Sequence, residues 1–193
     1  MTEGEVLKTY EETGALLKGH FRLSSGRHSG RYLQSALVLQ YPWTAEKLGR
    51  ALALKVKPLE PRVVLSPAMG GLFIGHELAR ALGVRAVFTE RNKDNDAMEL
   101  RRGFTLGKGE RFFTVEDIIT TGKSVRESIR VAESLGGVPA GLGCLIDRSG
   151  GTIDFGMPLV SLASLKVESW EEKDCPLCRE GLPVVKPGSR AKF

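Results

Sequence analysis

Apolar residues recur along this chain in two rhythms. Near the N-terminus Val6, Leu7, Tyr10, Leu16 and Leu17 suit one helix over residues 5–17. Residues 20–34 break that pattern: small, basic and hydroxylated side chains around Gly26 and Gly30 predict a short hairpin or loop-strand segment. Thr44 is placed to cap a helix over 45–56, which Pro58 ends. Beyond it, short apolar runs at 62–66, 84–89, 111–115, 140–146 and 159–165 predict strands, with helices over 71–82 and 123–135 between them. The stretch 91–102 is polar and without apolar periodicity, which predicts a mobile loop.

Strands that alternate with helices imply an α/β fold, with a mainly parallel central sheet covered by helices on both faces. Ligands of such sheets lie beyond the carboxyl ends of the strands, which directs attention to residues 66–71, 89–102, 116–124 and 147–148. At 193 residues the chain is long enough for one well-cored domain and short for two. We divide it into an N-terminal region over 1–43, a core over 44–170 and a tail over 171–193 whose composition differs from the rest. A formal charge of +5 suits an anionic small molecule as well as nucleic acid. No basic block or aromatic-basic alternation favours nucleic acid, and no apolar run approaches a membrane span. The acidic start lacks a signal-peptide pattern and three cysteines make no disulfide framework, so a cytoplasmic protein is expected.

The chemistry concentrates in residues 112–125. An apolar run delivers adjacent carboxylates, Glu116 and Asp117; then come Ile118, Ile119, Thr120, Thr121, Gly122, Lys123 and Ser124, leading into a helix. Backbone N–H groups at a helix start make an anion site for a monophosphate, and the hydroxyls add donors. Carboxylates do not bind phosphate, so Glu116 and Asp117 need a ribose diol or a magnesium ion, both of which take hard oxygen acceptors. Gly122, Lys123 and Ser124 echo the end of a Walker A loop, but the first glycine of that motif would fall at position 117, which is Asp. The bland alternative is a strand–turn–helix connection whose acids are merely solvated.

This segment resembles the phosphoribosyl pyrophosphate signature of the type I phosphoribosyltransferases, and residues 5–170 are similar in order and spacing to the orotate members of that family. Residues 20–34 resemble the family's hood, 66–71 its pyrophosphate loop, and 145–148 the strand end that meets the base. The resemblance implies the type I phosphoribosyltransferase fold with a small N-terminal hood. It implies transfer of a phosphoribosyl group from phosphoribosyl pyrophosphate to orotate, magnesium as cofactor, and a homodimer with shared sites. Glu116 and Asp117 would hold the ribose hydroxyls, and Thr120 to Ser124 the 5-phosphate. Ala68 and Met69 would face pyrophosphate; Thr120, Arg148 and Tyr32 would face orotate, with Leu33 beside Tyr32. Asp117, Arg91 and Lys93 are the catalytic candidates, with Arg101 and Arg102 as further cations. A regulator that binds the donor without catalysis and a purine phosphoribosyltransferase are the alternatives.

The chain also departs from the family. Ser24 and Gly70 stand where lysines are common, and residues 90–96 lack the histidine of the usual catalytic loop. Cys175 and Cys178 have metal-ligand spacing, yet one pair fills half of a tetrahedral zinc site, so a turn with two reduced thiols is expected. Cys144 reads as core, and His20, His28 and His76 as packing or surface residues.

Overall fold

In the computed structural model, which describes residues 1–23 and 25–187, two sheets are built from the expected rhythm. Ser24 and residues 188–193 lie outside the described residues. The first helix, α1 (Glu3–Glu12), opens with a capping box in which Thr2 and Glu5 satisfy each other's backbone amides. It ends earlier than the apolar pattern suggests. Gly14 takes a φ of +69°, and Leu16 and Leu17 then begin a strand. That strand, β1 (Leu16–Arg22), pairs antiparallel with β2 (His28–Leu33) as a two-stranded hairpin. A short helix that the sequence did not announce, α2 (Ala36–Leu39), leads to α3 (Pro42–Val56). Here Pro42 at the first position replaces the expected Thr44 cap, with its fixed φ and missing N–H suited to that place. A single 3-10 turn, Lys57–Leu59, closes the helix at Pro58.

Six strands then form the main sheet in the order β5-β4-β3-β6-β7-β8. They are β3 (Val63–Pro67), β4 (Arg85–Arg91), β5 (Met98–Leu100), β6 (Arg111–Ile119), β7 (Val138–Asp147) and β8 (Leu159–Ser164). All neighbours are parallel except β4 and β5. Helices α4 (Gly71–Leu82) and α5 (Lys123–Ser134) connect them. On one face α1, α3 and α4 bury Val6, Tyr10, Leu48, Leu52, Ile74 and Leu78 against Phe113 and Val115. On the other, α5 buries Val125 and Ile129 against Phe112, Ile119 and Leu142. Phe112 and Phe113 thus serve opposite cores, as adjacent strand residues must, and past the two acids the sides exchange, so that Ile118 packs with Phe113 and Ile119 with Phe112.

The expected loop at 91–102 is a β-hairpin along part of its length. Thr89 pairs with Leu100 and Arg91 with Met98, and the Met98 side chain is buried. A three-residue strand is too short to show as periodicity, and one buried thioether was enough to anchor it. The tail lies outside the main sheet and returns to the N-terminal hairpin. Backbone bridges join His28 to Trp170 and Phe21 to Val185, with a short helix α6 (Pro176–Arg179) between them. Among the described residues no helix is long and apolar enough to cross a membrane.

Candidate active site

The carboxyl ends of β3, β6 and β7 meet in one place, and the chemistry-bearing residues cluster there. Strand β6 runs four residues beyond the expected end, because Glu116, Ile118 and Ile119 remain paired with Cys144, Ile146 and Asp147 of β7. Glu116 and Asp117 are therefore held on a central strand rather than on a free loop. Both are half-buried. Burial pushes the Glu116 carboxyl up to about 8, with the neighbouring Asp117 charge adding to the effect. Burial also raises Asp117, against hydrogen bonds from the Ser35 side chain and the Ile118 and Asp117 amides. Two acids that resist ionisation side by side call for a positive or hydroxyl-rich partner.

Beyond β6 the chain turns at Gly122, whose φ of +68° favours glycine. A Cβ there would also lie 2.5 Å from the Phe155 ring. Helix α5 starts at once, so its first amides face the same cleft as the exposed hydroxyls of Thr120 and Thr121. Lys123 is exposed and Ser124 half-buried at this start. Ile119, by contrast, is fully buried, and its carbonyl accepts from the Arg148 amide at 2.8 Å.

The loop after β3 packs on the acids. A Cβ at Gly70 would fall 2.6 Å from Asp117 Oδ1, so a side chain at this position would displace the carboxylate. A cis peptide bond joins Ala68 to Met69. The Ala68 amide donates to the Thr89 carbonyl at 2.7 Å, while Met69 is strongly exposed.

Arg148 follows the end of β7. Its Nε is buried and has no hydrogen-bond partner among the described residues. Burial lowers the guanidinium's pKa, and the nearby Tyr32 phenol is the opposing influence. Tyr32 itself is raised by burial and senses both Asp117 and Arg148. A side chain from the hood, one from β6 and one just after β7 therefore lie close enough for Tyr32 to sense both charges. Leu33 does not join them: it is buried in the core beneath. Arg27, another cation of the hood, is bound to Ser169 and Glu171 of the tail.

Arg91 and Lys93 sit on the β4–β5 hairpin. Arg91 is bound to Glu127 of α5, and donates to the Asp96 carbonyl at 2.8 Å. Glu127 was not singled out from the sequence, although its place one turn after Lys123 was visible; Lys123 Nζ lies 3.8 Å from it. Arg101 and Arg102 are likewise engaged, with Glu90 and Glu99. Lys93 is exposed in the hairpin turn with no carboxylate within 4.0 Å among the described residues.

The description "phosphoribosyl transferase domain" fits residues 44–174. An orotate phosphoribosyltransferase of Caldanaerobacter subterraneus subsp. tengcongensis is 50% identical over 190 residues, covering 98% of this chain and 99% of the relative. That of Pelotomaculum thermopropionicum is 51% identical with the same coverage. The crystal structure of orotate phosphoribosyltransferase from Aeropyrum pernix superposes with a TM-score of 0.71 at 29% identity, covering 83% of this chain and 93% of that one. Identity at this level, sustained over nearly the full length, places the chain in the orotate phosphoribosyltransferase family, within the type I phosphoribosyltransferases.

Proposed function

We propose that the protein transfers the phosphoribosyl group of phosphoribosyl pyrophosphate to orotate, giving orotidine 5′-phosphate and pyrophosphate. The observation that carries the choice of base is Arg148, a half-buried cation whose Nε lacks a partner beside Tyr32. A carboxylate on the incoming base would supply that partner, and a base without one would leave the cation unpaired in a desolvated pocket.

In this reading Thr120, Thr121, Gly122, Lys123 and Ser124 hold the 5-phosphate at the start of α5. Glu116 and Asp117 take the ribose hydroxyls, and Ala68 and Met69 border the pyrophosphate. Tyr32 and Thr120 flank the base. The paired carboxylates, both made reluctant to ionise by burial, fit a hard divalent cation, so Glu116 and Asp117 are the residues that would face magnesium. Magnesium, when bound with the donor, supplies positive charge to the leaving pyrophosphate. The protein's own part is positioning and electrostatic stabilisation, with no side-chain nucleophile.

A homodimer completes the reading. Met69 and Phe73, four residues apart across the start of α4, are 78% and 60% exposed, an apolar area beside the site that a second subunit would cover. Lys93 and Arg91 would then serve the partner's site from the hairpin.

Pyrophosphate release, measured with orotate, uracil, hypoxanthine and adenine in the presence of magnesium, tests this. Turnover is expected with orotate and not with the others. In Arg148→Ala the KM for orotate should rise about tenfold or more, while donor affinity stays close to wild type, since the 5-phosphate loop is separate. Preference for a purine would overturn the base, and donor binding without turnover on any base would point to a regulator.

A further inference from the structure

The tail and the hood hairpin meet at four side chains that the active site does not use. A register shift between Lys18 and Phe21 inserts an extra residue in β1, and His20 meets the ring of His28 edge-on, centroids 4.8 Å apart. The returning tail lays Cys175 and Cys178 against this pair. Cys175 Sγ is 3.5 Å and Cys178 Sγ 3.7 Å from His20 Nε2, and Cys178 Sγ is 3.3 Å from His28 Nδ1. The two ring nitrogens are 2.9 Å apart, and all four ligand atoms lie within 4.8 Å of one another. His20, His28 and Cys175 are buried, and Cys178 is partly so.

We propose that His20, His28, Cys175 and Cys178 form a closed Cys2His2 zinc site that fastens the C-terminal tail to the hood. The distances suit the metal. Bonds of about 2.0–2.1 Å to nitrogen and about 2.3 Å to sulfur at tetrahedral angles put N and S about 3.6 Å apart. The three N–S contacts fall on either side of that value. The shorter N–N approach calls for a small opening between the rings.

The hydrogen-bond inventory argues against a metal-free cluster. His20 Nδ1 lies 2.8 Å from the Leu182 carbonyl, which can only accept, so Nδ1 carries the proton and Nε2 presents a lone pair. Two thiols and the His28 Nδ1 then crowd that lone pair, which accepts from one of them at a time, while Cys178 lies nearer His28 Nδ1 than His20 Nε2. A cation reverses the problem, because every group aimed at the centre becomes a donor of electrons. The Leu182 contact is also the outer-sphere bond that orients a ligating histidine and fixes its tautomer. On binding, each thiol forms its S–Zn bond as its proton leaves to solvent, with no change of oxidation state. Two soft sulfurs and two imidazoles in a tetrahedral, fully protein-filled set select zinc, in a structural rather than a catalytic role. The sequence spacing hid this site, since the histidine pair and the cysteine pair are nearly the whole chain apart.

The site also has something to hold. His28 exchanges backbone hydrogen bonds with Trp170, Val185 bonds His20 and Arg22, and Ser29 Oγ donates to the Glu168 carbonyl. Together these lay the tail along the hairpin, with the four ligands at the middle of the seam.

Metal analysis by mass spectrometry of the full chain, produced with zinc in the medium and purified without chelators, tests this. About one zinc per chain is expected. Replacing it with Co(II) should give the sulfur-to-cobalt charge-transfer band and the intense red ligand-field bands of a tetrahedral thiolate site. Cys178→Ser and His28→Asn should each weaken metal retention at least about tenfold against a chelator. Cys144→Ala, whose thiol lies in the β7 core, should keep the metal. Chelation should lower the Tm of the wild type and leave that of Cys178→Ser unchanged. Zinc-free protein that gives no thiolate band with Co(II), or a Cys175–Cys178 disulfide in the protein as isolated, overturns the proposal even where a variant fails to fold.

Discussion

Glycine 70 and aspartate 117 show how the site depends on single atoms. Because a Cβ at 70 would lie 2.6 Å from Asp117 Oδ1, the loop after β3 sits directly on the carboxylate. Asp117→Asn keeps the shape and removes the charge. Charge-assisted hydrogen bonds are worth about 1.5–3 kcal/mol, so donor affinity or turnover should fall about tenfold or more, read from steady-state kinetics; near wild-type constants would remove Asp117 from the ribose clamp. Its neighbour Glu116 makes a pH prediction. In the folded protein this carboxyl is pushed up to about 8 by burial, whereas the ordinary value is 4.5. Between those values the folded state holds a proton that the unfolded state has lost. The stability this contributes is full below about pH 4.5 and is lost as pH rises through about 8. Glu116→Gln cannot titrate, so its Tm should fall less steeply across that window and exceed wild type by a few degrees at about pH 8.5. Parallel curves in a thermal-shift pH series would mean that the carboxyl ionises freely.

Elements, unlike residues, were largely legible from pattern, and the misses have local causes. Helix α4 spans the expected 71–82, because an apolar stripe and Gly83 at a left-handed C-cap mark both its face and its end. Strand β6 exceeded expectation because its charged residues stay in the ladder with β7, and central pairing outweighs the polar side chains. Leu16 and Leu17 were read into the first helix because periodicity alone does not register the turn at Gly14. What no pattern could show is how elements couple. Thr89 of β4 and Ser128 of α5 meet through buried hydroxyls 2.6 Å apart, and Ser128 also donates to the Ser124 carbonyl at 2.9 Å. The hairpin that carries Arg91 is thus tied to helix α5, which starts just after Gly122. Ser128→Ala leaves the Thr89 hydroxyl buried and unpaired, which should lower unfolding free energy by about 1–3 kcal/mol in denaturant titration. Thr89→Val with Ser128→Ala should cost less than the sum of the single changes. Strict additivity would show that the two hydroxyls do not interact.

For the molecule as a whole, the decisive feature is where the cations of the β4–β5 hairpin are held. Glu116, Asp117, the turn at Gly122 and Arg148 lie at the same strand ends of one subunit, whereas Arg91 is held by Glu127 and Lys93 projects from the hairpin turn. In the homodimer proposed above, twofold symmetry would let each hairpin serve the other subunit's site. The exposed Met69 and Phe73 beside the cleft give such a partner an apolar surface to cover. None of this was readable from spacing, since the sequence reveals charges but not whether a carboxylate of the same chain already claims them. The arrangement makes a quantitative prediction for mixed dimers. In that dimer, Asp117→Asn and Arg91→Ala should each lower the activity of their own homodimer about tenfold or more, because every site then lacks one of the two residues. In an equal mixture at exchange equilibrium, about half of the dimers are hybrids, and each hybrid has one site with both residues intact. Activity should therefore recover to about one quarter of wild type, measured as pyrophosphate release after incubating differently tagged subunits. If the tags show that subunits have exchanged and activity stays at the sum of the two variants, Arg91 acts within its own chain and must first leave Glu127 to do so.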